Sequence, residues 1–217
     1  MYSLFRDRSE AGRILAAHLR NEGAQSDAVV LALPRGGVPV GFEVATALGG
    51  ELDVLPVRKL GVPGERELAM GAIAAGGAMY VDHGTMVIAR VTQAQFEAVR
   101  AEEQIELARR AALYRGESAP AQVEGRVAII VDDGMATGSS MQAAVRALRQ
   151  QHPARVIIGL PVAPLGAEAD FSGIVDAFVC VASPSNFFSV GQYYEDFSET
   201  TDDEVRELLA RARARKS

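Results

Sequence analysis

Short apolar runs alternate with amphipathic stretches along this chain, the pattern of a parallel sheet whose strands are joined by crossover helices. Ile14, Leu15 and Leu19 recur at helical spacing behind Ser9, a candidate N-cap, and Asn21-Glu22-Gly23 supplies a stop. Residues 28–33 read as a buried strand, Pro34-Arg35-Gly36-Gly37 breaks it, and Val38 to Leu48 reads as a helix. A second strand is expected at about 53–58. The polar stretch 59–67, punctuated by Gly61, Pro63 and Gly64, predicts a flexible loop. Short strands follow at 70–74 and 78–81, as a hairpin around Gly76-Gly77, with another at 85–88. Thr92 caps a long helix to about Tyr114, whose apolar content includes Phe96, Val99, Ile105, Leu107 and Leu113. Strand 127–131, helix 139–150 and strands 155–160 and 174–181 complete the sheet region. Thr201-Asp202-Asp203-Glu204 then reads as a capping box opening a C-terminal helix, with Arg211, Arg213, Arg215 and Lys216 at its basic end.

A length of 217 residues without repeats, linkers or low-complexity segments favours a single domain. Apolar residues make up 48% and charged residues 23%, which is ordinary globular composition. With 22 Lys+Arg against 28 Asp+Glu, the net charge of −6 gives no general reason to bind nucleic acid. The one cysteine, Cys180, cannot form an internal disulfide, and no apolar run approaches the length of a membrane span. These features predict a soluble, cytoplasmic protein. His18, His83 and His152 lie far apart with no metal-ligand spacing, and no nucleophile elbow or Walker-type phosphate loop is present.

The informative chemistry lies in Val127-Ala128-Ile129-Ile130-Val131-Asp132-Asp133-Gly134-Met135-Ala136-Thr137-Gly138-Ser139-Ser140. An apolar strand delivers two carboxylates, then a loop of small and hydroxylated residues, then a helix. Backbone N–H groups and the dipole at such a helix start favour an anion, and Thr137, Ser139 and Ser140 add hydroxyl donors. Asp132 and Asp133 would repel that anion and suit instead the vicinal hydroxyls of a sugar. A phosphate beside a diol describes a ribose 5-phosphate. An acidic turn followed by an N-cap is the plainer reading of the same residues taken alone.

The whole stretch resembles the phosphoribosyl-diphosphate (PRPP) loop of the type I phosphoribosyltransferases, departing from it at Gly134, where many members carry a branched apolar residue. The resemblance implies an α/β fold with a parallel sheet, flanking helices, a flexible loop and a small C-terminal hood. It covers roughly 28–181, with 78–115 an extra strand–helix insertion and 182–217 the hood and terminal helix. It further implies that Ala136, Thr137, Gly138, Ser139 and Ser140 cradle the 5-phosphate. Leu33-Pro34-Arg35-Gly36-Gly37 resembles the family's pyrophosphate loop, with Arg35 as its basic side chain and Gly36 and Gly37 permitting an unusual backbone. Arg58 and Lys59 fall where many members place a pyrophosphate contact before a closing loop.

The hood segment 184–197 is weakly similar to that of the hypoxanthine-guanine enzymes. On that likeness Phe187 or Phe188 stacks on a base and Asp196 approaches Mg²⁺. The lysine with which those enzymes read a 6-oxopurine is absent from Leu160-Pro161-Val162-Ala163-Pro164. The expectation is therefore a Mg²⁺-dependent phosphoribosyltransferase acting on PRPP and a nitrogen nucleophile, a nucleobase or related small molecule. Asp132, Asp133, Lys59 and Arg35 would carry catalysis, and the long helix of the insertion could extend the core, flank the loop or form a homo-oligomer interface. A PRPP- or nucleotide-sensing regulator of the same fold is the alternative.

Overall fold

The computed structural model describes residues 3–24, 27–75, 77, 79–116 and 118–215. Along the chain run α1 (Arg8–Asn21), β1 (Val29–Ala32), α2 (Gly37–Leu48), β2 (Glu51–Val54), β3 (Val57–Val62), β4 (Glu65–Ala74), β5 (Met79–Val81), α3 (His83–Ile88), α4 (Gln93–Arg115), β6 (Val127–Val131), α5 (Ser139–Arg149), β7 (Arg155–Val162), β8 (Ala177–Ala182) and α6 (Asp202–Ala214). The expected parallel sheet is present, in the order β2-β1-β6-β7-β8. Its central strands β1 and β6 are unbroken apolar runs because both faces are covered, whereas edge strand β2 carries Glu51 and Asp53. Val30, Ile129 and Val131 pack towards α1, α2 and α6, while Val29, Leu31 and Ile130 pack towards α5 and Phe171.

From β1 the chain moves outward to β2, and from β6 it moves the other way to β7 and β8. The connections leaving the carboxyl ends of β1 and β6 therefore diverge and open a crevice between them. Ligands of open α/β sheets bind at such a switch point. Topology alone thus points to the loops beginning at Leu33 and Asp132.

The second sheet and the helix that follows it correct three expectations. The predicted strand 53–58 is two strands in different sheets, interrupted at Leu55-Pro56, and the predicted flexible loop 59–67 is mostly strand. Strands β3, β4 and β5 form an antiparallel sheet, and Pro63-Gly64 is the tight turn between the first two, with Gly64 at φ +87°. Proline followed by glycine suits the two central positions of a type II turn, so the punctuation marked a corner and not a loop. Buried Leu60, Val62, Met70 and Ile73 pack with Met86, Phe96 and Leu107 from α3 and α4. The third correction is 85–88, which is helical. Asp82 accepts hydrogen bonds from the Thr85 N–H (3.0 Å) and hydroxyl (2.9 Å), and this cap outweighs the strand preference of Val87 and Ile88, which stay exposed.

At the ends of the chain, α1 is capped by Asp7, whose Oδ1 accepts from the Glu10 N–H at 2.7 Å, and not by Ser9. Thr92 and Gln95 form a reciprocal capping box on α4. Thr201 accepts from the Glu204 N–H at 3.1 Å on α6. The end of α4 is fastened to the sheet by Arg115, which donates to both oxygens of buried Asp53 (3.0 and 3.1 Å) and to the Val54 carbonyl. No helix among the described residues is long and apolar enough to cross a membrane.

Candidate active site

At the switch point the two loops touch. Leu33 N–H donates to the Val131 carbonyl at 2.9 Å, carrying the sheet ladder one residue past β1, and the Pro34–Arg35 peptide that follows is cis. A Cβ on Gly36 would stand 2.1 Å from Asp133 Oδ2, and one on Gly37 would stand 2.8 Å from the Val131 carbonyl oxygen. Close approach is what requires these glycines. Gly36 itself has ordinary helical angles, and the unusual backbone of this loop is the cis peptide one residue before it.

Asp132 and Asp133 leave β6 side by side, with the Asp133 N–H donating to Asp132 Oδ1 at 2.9 Å. Burial pushes the Asp132 carboxyl well above the ordinary carboxylate range, and the neighbouring charge of Asp133 adds to it. Burial also raises Asp133, but the Arg8 guanidinium opposes that shift. Arg8 Nε donates to Asp133 Oδ2 at 2.8 Å, and both side chains are largely buried. Nothing in the reading of the sequence identified Arg8, yet a signal exists. It sits in the first turn of α1, where the helix dipole disfavours a cation, so a tertiary partner was to be expected.

Beyond the acids, Gly138 takes a left-handed conformation (φ +73°) and opens α5 without a side-chain cap. The first N–H groups of α5 are therefore uncapped by side chains, and Thr137, Ser139 and Ser140 supply hydroxyls around them. An uncapped helix start of this kind suits an anion, and it lies one short loop away from two carboxylates. Ala136 lies on that connecting loop. Gly134, the departure from the family pattern, also has a reason here. A Cβ at that position would lie 2.6 Å from Val190 Cγ1 and 3.0 Å from Val162 Cγ1, so Val190 fills the space a branched side chain would take.

The three-stranded sheet separates the two basic candidates. Lys59 is registered with Ala72 and, through it, Tyr80. Ala72 and Tyr80 line a cavity of about 140 Å³ together with Ser139 and Gln142 of α5. Side chains paired across strands share a face, which puts Lys59 on the side of the α5 start. Arg58 is registered with Ile73 and Met79 on the other face and pairs with Glu103 of α4 at 2.6 Å. Arg58 is thus not gathered at the crevice.

Arg35, half-exposed, pairs with Glu199 and, at 3.9 Å, with Asp202 at the start of α6. Phe187 stacks on Tyr193, whereas Phe188 is 76% exposed. Asp196 is exposed and accepts from the Ser198 N–H at 2.9 Å, which draws its carboxyl below the ordinary range. The hood is built from both ends of the chain. Leu4 and Phe5 N–H groups donate to the Tyr193 carbonyl, and those of Glu195 and Asp196 donate to the Phe5 and Arg6 carbonyls. The Tyr194 hydroxyl then donates to the Asp133 carbonyl at 2.5 Å.

A family model described as "Phosphoribosyl transferase domain" matches residues 8–197. Proteins from two strains of Mycobacterium tuberculosis, CDC 1551 and H37Rv, each named "Putative phosphoribosyl transferase", are 45% identical over 209 residues. The match covers 96% of this chain and 47% of theirs, so the chain spans about half the length of the curated relatives it matches. The crystal structure of TT1426 from Thermus thermophilus superposes with a TM-score of 0.86 at 42% identity, covering 95% of this chain and 98% of that one. A hypothetical protein from Neisseria gonorrhoeae, crystallised with ppGpp, shares the fold alone, at a TM-score of 0.52 and 11% identity over 97% of this chain and 99% of that one.

Proposed function

The chain belongs to the phosphoribosyl transferase domain family, and we propose that it transfers the 5-phosphoribosyl group of PRPP to a nitrogen nucleophile, releasing pyrophosphate. The observation that carries this reading is the contact of Gly36 and Gly37 with the two acids, one short loop from the uncapped start of α5. Sites for a leaving anion, a diol and a phosphate then follow one another around one crevice.

In this reading the bond from carbon 1 of the ribose to the pyrophosphate oxygen breaks and a bond to nitrogen forms, through a cation-like ribose. The protein's part is positioning and electrostatics. The 5-phosphate rests on residues 136–140, and Asp132 and Asp133 accept from the ribose hydroxyls and face the developing positive charge. Arg35 turns from Glu199 and Asp202 to the pyrophosphate. The exposed ion pairs it leaves are worth only ~0–1 kcal/mol, a small cost to that exchange. Lys59 meets the same leaving group from the three-stranded sheet.

Among the described residues no three His, Cys, Asp or Glu side chains gather to hold a metal. The oxygen donors of the crevice fit Mg²⁺ carried on PRPP, which keeps waters and needs only one or two carboxylates. Asp132 and Asp133 are the carboxylates this reading sets against the sugar, and Asp196 belongs to the hood. When bound, Mg²⁺ neutralises charge on the departing pyrophosphate.

One observation favours the sensing alternative: the β3–β4 hairpin is anchored on α4 by its own small core, where a water-excluding lid has to open and close. Incubation with PRPP, Mg²⁺ and a panel of bases separates the two. Pyrophosphate release that depends on a base supports transfer. Tight PRPP binding by calorimetry without release supports sensing, and neither result leaves the site a structural one.

A further inference from the structure

Each carboxylate of the acid pair has one oxygen engaged within the protein. Asp132 Oδ1 accepts from the Asp133 N–H at 2.9 Å, and Asp133 Oδ2 accepts from Arg8 Nε at 2.8 Å. The two carboxyls also hydrogen-bond to each other, so the acids are held as one pair, and it is this pair that the two hydroxyls of a ribose would meet. Asp132 gets its orientation from the local backbone. Asp133 gets it from a side chain 125 residues away.

Arg8 does more than meet Asp133. A second nitrogen of its guanidinium donates to the Ser198 carbonyl at 2.7 Å, and the guanidinium carbon lies 4.0 Å from the centre of the Phe197 ring. Phe197 packs on Tyr194 with centroids 5.1 Å apart, and the Tyr194 hydroxyl donates back to the Asp133 carbonyl. The ring of contacts runs from Asp133 through Arg8, Phe197 and Tyr194 to Asp133 again. It joins the acid loop, the start of α1 and the hood. A planar, forked cation suits this geometry, since it serves a carboxylate, a carbonyl and an aromatic face at once.

We propose that Arg8 is the positioning residue of the acid pair, turning the pair towards the ribose through Asp133 and latching hood residues 194–198 to that acid. The ribose half of this proposal rests on the PRPP reading above, whereas the latch does not. The latch makes hood order depend on the charge at Asp133, so the hood and the sugar-binding acid act as one unit.

Two variants test it, Arg8→Met, which keeps the stem and loses the cation, and Arg8→Lys, which keeps the charge and loses the fork. Hydrogen exchange on the ligand-free protein should show faster exchange at 194–198 in Arg8→Met, and a comparable gain in Asp133→Asn. In pyrophosphate release, Arg8→Met should lower kcat by ~10²-fold, the scale of a small misplacement at a reacting centre, with a smaller change in KM. The acidic limb of its pH profile should move to higher pH, because the acid pair loses the cation that opposes its protonation. Arg8→Lys should return that limb towards the wild-type position while recovering only part of kcat. Unchanged exchange at 194–198 in Arg8→Met overturns the latch, and an unmoved acidic limb overturns the positioning of Asp133. Failure of the wild type to bind PRPP or release pyrophosphate overturns the PRPP reading and the ribose half with it, and the exchange experiment still decides the latch.

Discussion

At the crevice between β1 and β6, close approach comes from side chains that are missing. Gly36 and Gly37 let a backbone lie on two carboxylates, and Gly134 makes room for Val190. In the neighbouring three-stranded sheet, position comes from side chains that are present. Leu60, Val62, Met70 and Ile73 pin the hairpin to α3 and α4, and alternation along β3 sends Lys59 to one face and Arg58 to the other. The first region is held by a framework of parallel strands buried on both faces. The second has a core of its own that is much smaller. In the proposed reading, a site assembled from both has one half set in the large core, for the sugar, and one set in the small core, for the leaving group.

The largest expected effect falls on the half set in the large core. Asp132→Asn should reduce pyrophosphate release by ~10²–10³-fold, the cost of losing one preorganised electrostatic group. Stability should move the other way. The folded protein holds a proton on Asp132 well above the ordinary value of 3.8, so this group's contribution to stability is fully present below that value and is lost as pH rises through the raised one. At pH 7 Asp132→Asn should melt above the wild type, and the gap should close as pH falls towards the ordinary carboxylate range. A melting series across pH checks it. A variant that melts lower at pH 7 would assign Asp132 a structural role and dissolve the contrast between the two halves.

In the half set in the small core, Lys59→Ala should weaken turnover by ~10–100-fold, the equivalent of one charge-assisted hydrogen bond worth ~1.5–3 kcal/mol. Binding of ribose 5-phosphate alone, measured by calorimetry, should change little, because that ligand lacks the leaving group. Equal loss for PRPP and ribose 5-phosphate would place Lys59 at the cradle and not at pyrophosphate.

Gly134 tests the framework itself. Gly134→Val should cost ~1–3 kcal/mol, the usual penalty for an extra side chain in a packed space, seen as a lower denaturant midpoint. Val190→Ala in the same chain should recover much of the loss, because the two side chains compete for one volume. Additive losses would mean that something other than Val190 excludes a side chain at 134.

These contrasts also explain what could be read without coordinates. The acid pair and the proposed anion cradle are contiguous from 132 to 140, so one strand–loop–helix pattern displays all of their groups. The centre of the parallel sheet was legible because β1 and β6 are short, fully apolar runs, whereas edge strand β2, with Glu51 and Asp53, was misplaced. Arg8 was not, since its partners are Asp133, Phe197 and Ser198, and the hood is stitched from residues at both ends of the chain. The hairpin was misread because Pro63-Gly64 serves a tight turn as readily as a loop. Residues 85–88 were misread because a local cap from Asp82 outweighed β-branched composition. Gly134 was visible as a departure, but its reason lies in Val190, which no local pattern connects to it.

The smallest expected effect is the one that divides the faces of β3. Arg58 and Lys59 are adjacent and both basic, and a linear reading does not distinguish them as pyrophosphate contacts. Antiparallel pairing puts their side chains on opposite faces, and Arg58 is taken up by Glu103 of α4 at 2.6 Å, with both side chains mostly buried. Arg58→Met keeps the apolar stem that packs under α4 and removes only the charge. It should therefore change PRPP affinity and pyrophosphate release by no more than about threefold, within the ~1 kcal/mol of an ordinary ion pair, while lowering the melting temperature slightly. Arg58→Met paired with Glu103→Gln should restore part of that temperature, since leaving one charge unpartnered costs more than losing both. A loss of turnover as large as that of Lys59→Ala would show that the hairpin rotates during the reaction to bring its other face to the ligand. In that case the face assignment would hold only for the ligand-free protein, and α4 would have to release Arg58 from Glu103 in every cycle.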